Sequence, residues 1–480
     1  SLEALSRSAS TWRGVGLSER AALLRRCLTH LGQASKGWVA AACQAKGASL
    51  TSSVAGEEWL GGPVTLARNL RMLAESLEAG ATPPLPGVRE RPDGQVVVQV
   101  YPDGLLDKVI LSGVEAQIWL EPGASPSQGA NYREEDRNRP SSVSLVLGAG
   151  NVASIGPMDA LYKLFVDDET VLLKTNPVND YLGPWWEKAM HPLVEANLLR
   201  VVHGGGREGA YLCQHDTVRS IHITGSDRTH DAIVWGAPDQ QAERKASGTP
   251  LLDKPITSEL GCVTPVLVVP GPWSDAELTY QARNIAGMLT QNASFNCNAA
   301  KVVLLPGDWD RRDAFVERLR EQIRGIAPRK AYYTGAQERY ASFVEAYPSC
   351  EVVGENGPDI VPWTLLPDVP ATRGEHALTQ EAFCGVLALV DLPAADAVSY
   401  LEQAIPFAND DIWGTLSCMM LVHPRTEKAH PEAVDRAIAQ LRYGGVAING
   451  WAGLCYGLVS PSWGAFPGHT LDDIVSGRGF

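Results

Sequence analysis

Apolar positions recur at helical spacing through residues 1 to about 90: Leu23, Leu24, Cys27, Leu28 and Leu31 follow Ser18, a candidate N-cap, and Leu66, Leu70, Leu73 and Leu77 repeat the pattern. Such one-sided helices are expected to cover another element. The pattern then turns β-rich over Gln95 to Tyr101 and Val114 to Leu120, with turn signals at Asp103-Gly104 and Pro122-Gly123, which predicts a ribbon or hairpin. From Ser125 to Pro140, including Arg133-Glu-Glu-Asp-Arg-Asn-Arg139, no period survives, and a loop or linker is expected.

After Ser141 short apolar runs alternate with helical stretches. The runs are Val143 to Leu147, Val171 to Lys174, Leu199 to Val202 and Ser220 to Thr224, with helices from Pro157 and through Trp185 and Trp186. Runs apolar at every position, joined by crossover helices, predict a doubly wound parallel sheet. A second series opens at Pro265 with Val266 to Val269, a helix, Val302 to Leu305, a helix over 309 to 323, and then Leu387 to Val390 and Leu416 to Leu421. Two α/β domains are expected, with the boundary near Gly261. Residues 348 to 380 are rich in turn formers and are expected to lie across the surface.

Composition narrows the partners. With 480 residues, 45% hydrophobic and a net charge of −14, the chain is long enough for two or three domains and lacks the clustered cations that phosphate backbones require. A small-molecule partner fits better than a nucleic acid. No apolar run approaches the roughly 20 residues of a membrane span. Nine cysteines without C-x-x-C or His at metal spacing indicate neither a disulfide framework nor a metal site, and Ser1-Leu-Glu-Ala-Leu5 lacks the regions of a signal peptide, so a cytoplasmic location is expected.

Six stretches hold residues suited to chemistry. Cys297, within Gln291-Asn-Ala-Ser-Phe-Asn-Cys-Asn-Ala-Ala-Lys301, lies between a helical run ending at Thr290 and the strand from Val302, amid small polar residues. Asn151, in the first turn Leu147-Gly-Ala-Gly-Asn-Val-Ala-Ser-Ile-Gly156, places an amide donor at the carboxyl end of a strand; the third glycine comes three places too late for G-x-G-x-x-G. Lys174 ends an apolar strand, where an ammonium meets either an anion or the solvent rim. Gly225 and Ser226 open a helix, offering backbone donors to a pyrophosphate or merely a cap. Glu259, in an apolar segment at the domain boundary, is placed for a raised pKa or for a structural ion pair, and Glu381 precedes another apolar strand as a cap or a hydroxyl ligand.

Taken in order, these stretches resemble the aldehyde dehydrogenase superfamily. Asn151 stands at the position of its oxyanion asparagine and Lys174 at that of its ribose lysine, with the family's separation of 23 (174 minus 151). Thr224-Gly225-Ser226 resembles F-T-G-S, Glu259-Leu-Gly261 E-L-G-G, Cys297 the catalytic cysteine, and Glu381-Ala-Phe383 E-x-F-G-P. Asn409-Asp-Asp-Ile-Trp-Gly-Thr-Leu416 and Gly445-Val-Ala-Ile-Asn449 resemble the two motifs that follow. Cys262, Cys384-Gly385 and Lys301 depart from the pattern beside the site, and Pro177 stands where NAD-preferring relatives often carry a glutamate.

The resemblance implies an α/β fold of two doubly wound domains, a Rossmann-like cofactor domain and a catalytic domain, with a small β-ribbon for oligomerisation. The expected division is 1–90 with 140–262 for the cofactor, 91–139 for ribbon and linker, 263–441 for catalysis, and 442–480 returning to the cofactor domain. It implies oxidation of an aldehyde with NAD or NADP by a homodimer or homotetramer. Cys297 would attack, Asn151 would hold the alkoxide, and Glu259 would activate the water that hydrolyses the thioester. Lys174, Gly225, Ser226, Glu381 and Phe383 would contact the cofactor. Val152, Ile155, Gly156, Asp159, Phe295, Trp451 and Tyr456 would line the substrate pocket, with Asp159 suited to a polar or cationic end.

Three rivals were weighed. Coenzyme A-acylating relatives tend to lack the glutamate found here at Glu259. A non-catalytic binding protein on the same fold is disfavoured because Cys297, Glu259 and Asn151 are all present. Gly453-Leu-Cys455-Tyr-Gly457 fits a G-x-C-x-G nucleophile elbow, which requires a helix at once; Pro461 and Trp463-Gly464 are expected to prevent one.

Overall fold

Strands that are apolar on both faces need cover on both sides, and the computed structural model, which describes residues 2–129, 132 and 142–479, provides it twice. The chain begins with helices Leu2–Trp12, Leu17–Ala45, Ala55–Trp59 and Thr65–Glu78, followed by an antiparallel ribbon of β1 (Gly87–Glu90), β2 (Val96–Tyr101) and β3 (Ala116–Trp119). The ribbon starts inside the stretch expected to be helical, because β1 is held by its ladder to β2 and has no period of its own. A short helix, Leu105–Ile110, which the sequence did not signal, joins β2 to β3 and leaves Leu105, Leu106, Val109 and Ile110 exposed. The ribbon is tied to the distant helix Pro431–Gln440 by a bidentate Arg91–Asp435 pair at 2.6 and 2.7 Å. The expected linker lies largely outside the described residues, its charged part wholly so.

The first large sheet contains β4 (Val143–Leu147), β5 (Thr170–Lys174), β6 (Leu199–Val202), β7 (Val218–Thr224) and β8 (Ile256–Glu259), all parallel and in the order β8-β7-β4-β5-β6. Alternation within each strand explains the cover. Val146, Val171 and Leu173 pack with Trp38 and Leu66 of the N-terminal helices and Trp186 of the helix Gly183–Ala189, while Leu145, Leu172 and Ile221 pack on the other side with Leu5 and Val234. The chain leaves β4 toward β5 and later returns to its other side with β7, so the carboxyl ends of β4 and β7 form the switch point at which such sheets open a crevice.

The second sheet contains β9 (Pro265–Val268), β10 (Val302–Pro306), β11 (Glu351–Val352), β12 (Thr364–Leu366), β13 (Val386–Leu392), β14 (Ser417–Leu421) and β15 (Gly445–Ile448), in the order β11-β12-β13-β10-β9-β14-β15. Val302 and Leu304 enter one core, Val303 and Leu305 the other. Two expectations are corrected here. Most of 348 to 380 does lie at the surface, but 361–366 does not, since β12 is fully buried beside β13; three residues are too few to show a period. The return begins after β15, which pairs with β14: Tyr456, Leu458 and Leu471 hydrogen-bond Ser154, Arg68 and Trp235 of the first domain, and β16 (Gly477–Arg478) pairs antiparallel with β8.

Candidate active site

The helix Asp275–Thr290 is opened by a capping box between Ser274 and Glu277 and is followed by a turn unlike its surroundings. Asn292, Ala293 and Ser294 take φ of 55°, 54° and 70°, three successive left-handed L-residues. The turn carries the backbone out of the helix and presents Cys297, half-buried, before Lys301 and β10. Two donors fix the Cys297 carbonyl, Thr264 Oγ1 and Lys301 Nζ, both at 3.1 Å. Lys301 Nζ, itself buried, also reaches Asn296 O at 3.0 Å and Glu381 Oε1 at 3.1 Å.

Glu259 is the last residue of β8 and is buried. The Cys297 thiol donates a hydrogen bond to its carboxylate, and Trp463 makes a second hydrogen bond to it. Burial raises the Glu259 pKa to about 7, with the negative Glu381 adding to it and the two hydrogen bonds opposing. The Cys297 pKa is also pushed well up, by burial first and then by the charge of Glu259, while the Lys301 ammonium opposes. The resting site therefore holds a thiol beside a carboxylate able to accept its proton near neutrality. Asn151 lies in the turn after β4 and donates from Nδ2 to Phe295 O at 3.0 Å, so the carboxamide sits against the backbone two residues before Cys297.

A crevice of about 1530 Å³ runs along the carboxyl ends of β4, β5, β7 and β8, with Asn151, Glu259 and Cys297 at its wall. The structure also brings Ile155, Lys174, Gly225, Ser226, Glu381 and Phe383 to this crevice. Ser226 caps the helix Asp227–Val234 by accepting from Thr229 N at 3.2 Å, and its side chain is exposed in the crevice. The Lys174 ammonium is turned onto the carbonyls of Thr175 and Gly204, and burial lowers its pKa. Gly261 makes room for the Glu381 carboxylate: a Cβ there would lie 2.0 Å from Glu381 Oε2, which would have to shift.

The other residues expected to line the substrate pocket do not border this crevice. Phe295 is fully buried, ringed by Tyr332 at 4.9 Å, Tyr333 at 5.7 Å and Phe383 at 5.9 Å, so it is packing for the loop. Gly156 packs on Leu173 and Trp186, and Trp451 donates to Asn298 O at 2.8 Å. Val152 sits 3.4 Å from where a Cβ of Gly61 would be. Tyr456 OH pairs with Ser154 Oγ at 2.8 Å and feels the charges of Glu259 and Cys297, so it lies behind the reacting pair. Asp159 does not await a cation: it accepts from Thr224 Oγ1 at 3.0 Å, with His222 at 3.6 Å, and burial raises its pKa well above the usual range. The elbow expectation also changes. A helix, Gly453–Leu458, does form, since Pro461 falls beyond its last turn, but Cys455 lies inside that helix and not at the turn before it.

Sequence reasoning missed Lys46, Glu58 and Tyr332, which converge on the same turn from far along the chain. The available signal was weak: Lys46 follows the apolar helical stretch Trp38-Val-Ala-Ala-Ala-Cys43, much as Lys174 ends an apolar strand.

Comparison with known proteins agrees with this geometry. Residues 126–338 match the model of the aldehyde dehydrogenase family. A 4-trimethylaminobutyraldehyde dehydrogenase of Bos taurus is 30% identical over 135 residues, 28% of this chain, and the match spans only 23% of that relative's length. An N-succinylglutamate 5-semialdehyde dehydrogenase of Sphingopyxis alaskensis is 23% identical over 276 residues, 57% of this chain and 53% of the relative. Among solved structures, a Mycobacterium tuberculosis aldehyde dehydrogenase complexed with NAD+ superposes with a TM-score of 0.64 at 16% identity, covering 94% of this chain and 81% of that one. A 3,6-anhydro-L-galactose dehydrogenase in complex with NAP gives a TM-score of 0.64 at 15% identity, with coverage of 94% and 83%. The segment 126–338 is thus similar to the aldehyde dehydrogenase family, and the chain shares the fold of the solved aldehyde dehydrogenases.

Proposed function

We propose that the protein oxidises an aldehyde to a carboxylic acid with NAD or NADP, using Cys297 as nucleophile, Asn151 as oxyanion donor and Glu259 as base. The observation that carries this is the hydrogen bond between Cys297 and Glu259 at the wall of the crevice, with the Asn151 carboxamide on the same loop. A dinucleotide fits the residues present. Gly225 and the amides opening the helix Asp227–Val234 face the crevice as anion donors. Glu381 lines the crevice with Oε1 3.1 Å from the Lys301 ammonium, and its carboxylate keeps further lone pairs for a hydroxyl. Lys174 and Glu381 would hold the ribose hydroxyls and Ser226 the pyrophosphate, and the bound cofactor supplies the hydride acceptor.

The chain's own residues account for the rest. Glu259 takes the thiol proton as Cys297 adds to the carbonyl carbon. The alkoxide then forms beside Asn151 Nδ2 and the backbone N–H of Cys297. In the second half-reaction Glu259, having passed the thiol proton to solvent, deprotonates the water that attacks the thioester as the Cys297 thiolate leaves, which demands a carboxyl of near-neutral pKa. The exposed helix Leu105–Ile110 on the ribbon, with Leu105 83%, Leu106 71%, Val109 77% and Ile110 64% exposed, supports a homo-oligomer. Nine free thiols favour a reducing, cytoplasmic setting.

The test is purified protein with NAD and NADP in parallel against short, long, aromatic and amino aldehydes, read at the absorbance of the reduced nicotinamide. Turnover is expected, and it should vanish in Cys297→Ala. Absence of turnover with every aldehyde, with and without coenzyme A, would overturn the proposal.

A further inference from the structure

Behind the reacting pair, a buried cation from the N-terminal helices stitches the site together. Lys46 caps the helix Leu17–Ala45 and is only 7% exposed. Its ammonium meets Glu58 Oε1 at 2.9 Å, Asn292 Oδ1 at 2.9 Å and the Asn151 carbonyl at 3.3 Å, so its three donors face three acceptors. The ring of Tyr332 lies under it at 4.9 Å, and the Tyr332 hydroxyl reaches the same carbonyl at 3.1 Å and the same amide oxygen at 2.9 Å.

Asn292, where the left-handed turn begins, is held from all sides. Its Nδ2 donates to Asn151 O at 3.1 Å, Phe295 O at 3.2 Å and Asn296 Oδ1 at 3.2 Å. Its backbone N–H donates to Glu57 Oε2 at 2.9 Å, and Glu57 is itself paired with Arg329 at 3.1 Å. The Asn151 turn and the Cys297 loop are thus joined in both directions: Asn151 gives its amide to the loop and receives the loop's amide, with Lys46, at its carbonyl. A buried charge is costly unless paired, and three left-handed L-residues persist only where their surroundings enforce them.

We propose that Lys46 is a positioning residue for the reaction, acting through Asn292 and the Asn151 carbonyl to keep the oxyanion carboxamide and the Cys297 thiol in a fixed relation. This rests on the aldehyde-oxidation reading. A residue serving only to anchor the N-terminal helices would affect stability; a positioning residue acts on the chemical step.

The test is the double variant Lys46→Met with Glu58→Leu, which leaves no buried charge unpaired, studied in the full chain beside Tyr332→Phe. The double variant should unfold near the wild-type temperature while its kcat falls about tenfold to a hundredfold and KM stays within about twofold, the signature of lost alignment. Alkylation of Cys297 by iodoacetamide, followed by peptide mass spectrometry, should become about tenfold faster as the loop loosens and the thiol is less desolvated. Tyr332→Phe, which removes one hydroxyl and no charge, should shift both readouts in the same direction by about threefold or more. Alkylation unchanged in both variants overturns the proposal whatever kcat does, and so does a double variant that turns over within about twofold of wild type. If the double variant fails to fold, Tyr332→Phe decides by the same criteria. Wild-type protein inert toward every aldehyde would sink the reaction assignment, and the alkylation comparison would still decide whether Lys46 holds the loop.

Discussion

Replacing Glu259 by Gln should make the protein more stable at alkaline pH and less able to complete its reaction. The carboxyl has an ordinary value of 4.5 and reaches about 7 in the folded chain, chiefly through burial. With the folded value raised, the native state binds the extra proton, so this group's contribution is fully present below pH 4.5 and is lost as pH rises through about 7. At about 1.4 kcal/mol per tenfold, that gap corresponds to roughly 3 kcal/mol lost at pH 8 and above. Gln is neutral throughout, so the stability difference between variant and wild type should grow by up to roughly 3 kcal/mol between pH 5 and pH 8. Chemical unfolding of both proteins across that range measures it, and subtracting one curve from the other cancels the remaining titrations. The kinetic counterpart is a loss in both half-reactions, since the same carboxylate serves each: a slowed first turnover and a steady rate about 10²- to 10⁴-fold lower. In the wild type, thioester hydrolysis should rise with pH to half its plateau near 7. A stability difference constant from pH 5 to 8 would refute the view that this carboxylate is held desolvated against Cys297.

Three further variants probe other parts of the molecule. Gly261→Ala should weaken cofactor binding by about tenfold or more in a fluorescence titration, since its methyl would displace the Glu381 carboxylate that lies 2.0 Å from the new Cβ. Ala293→Gly relieves one left-handed L-residue at φ 54°, so thermal unfolding should show about 1 kcal/mol of added stability, with slower turnover if the loop loosens. Leu106→Asp with Val109→Asp, on the exposed ribbon helix, should leave the fold intact and reduce the particle mass seen by light scattering; an unchanged mass would exclude this face as the contact between copies.

Where periodicity and burial coincided, the chain was readable. The strands β4, β5, β7, β10 and β14 emerge as apolar runs because both of their faces are covered, and Cys297, Glu259 and Asn151 announce themselves by lying at the ends of such runs. The reading failed where an element owes its conformation to a partner. β1 and β12 are only four and three residues long and are specified by the strands beside them. The substrate wall was misassigned for a related reason: Phe295 and Asp159 stand at suitable positions, yet the aromatic cluster takes the first and the hydroxyl of Thr224 the second. Lys46 and Glu58, 12 positions apart, meet Asn292, a further 234 positions along (292 minus 58), a convergence no local pattern encodes.

The last strand, β16, lies against β8 with Gly477 opposite Glu259, and Ser476 accepts from Leu260 N at 2.8 Å while its hydroxyl donates to the Gly261 carbonyl at 2.7 Å. More than two hundred residues of translation separate the base from the strand that completes its sheet edge (477 minus 259 is 218). A nascent chain therefore presents Cys297 well before Glu259 has its edge partner, and the sheet edge beside that carboxylate is completed only by a slow, long-range pairing.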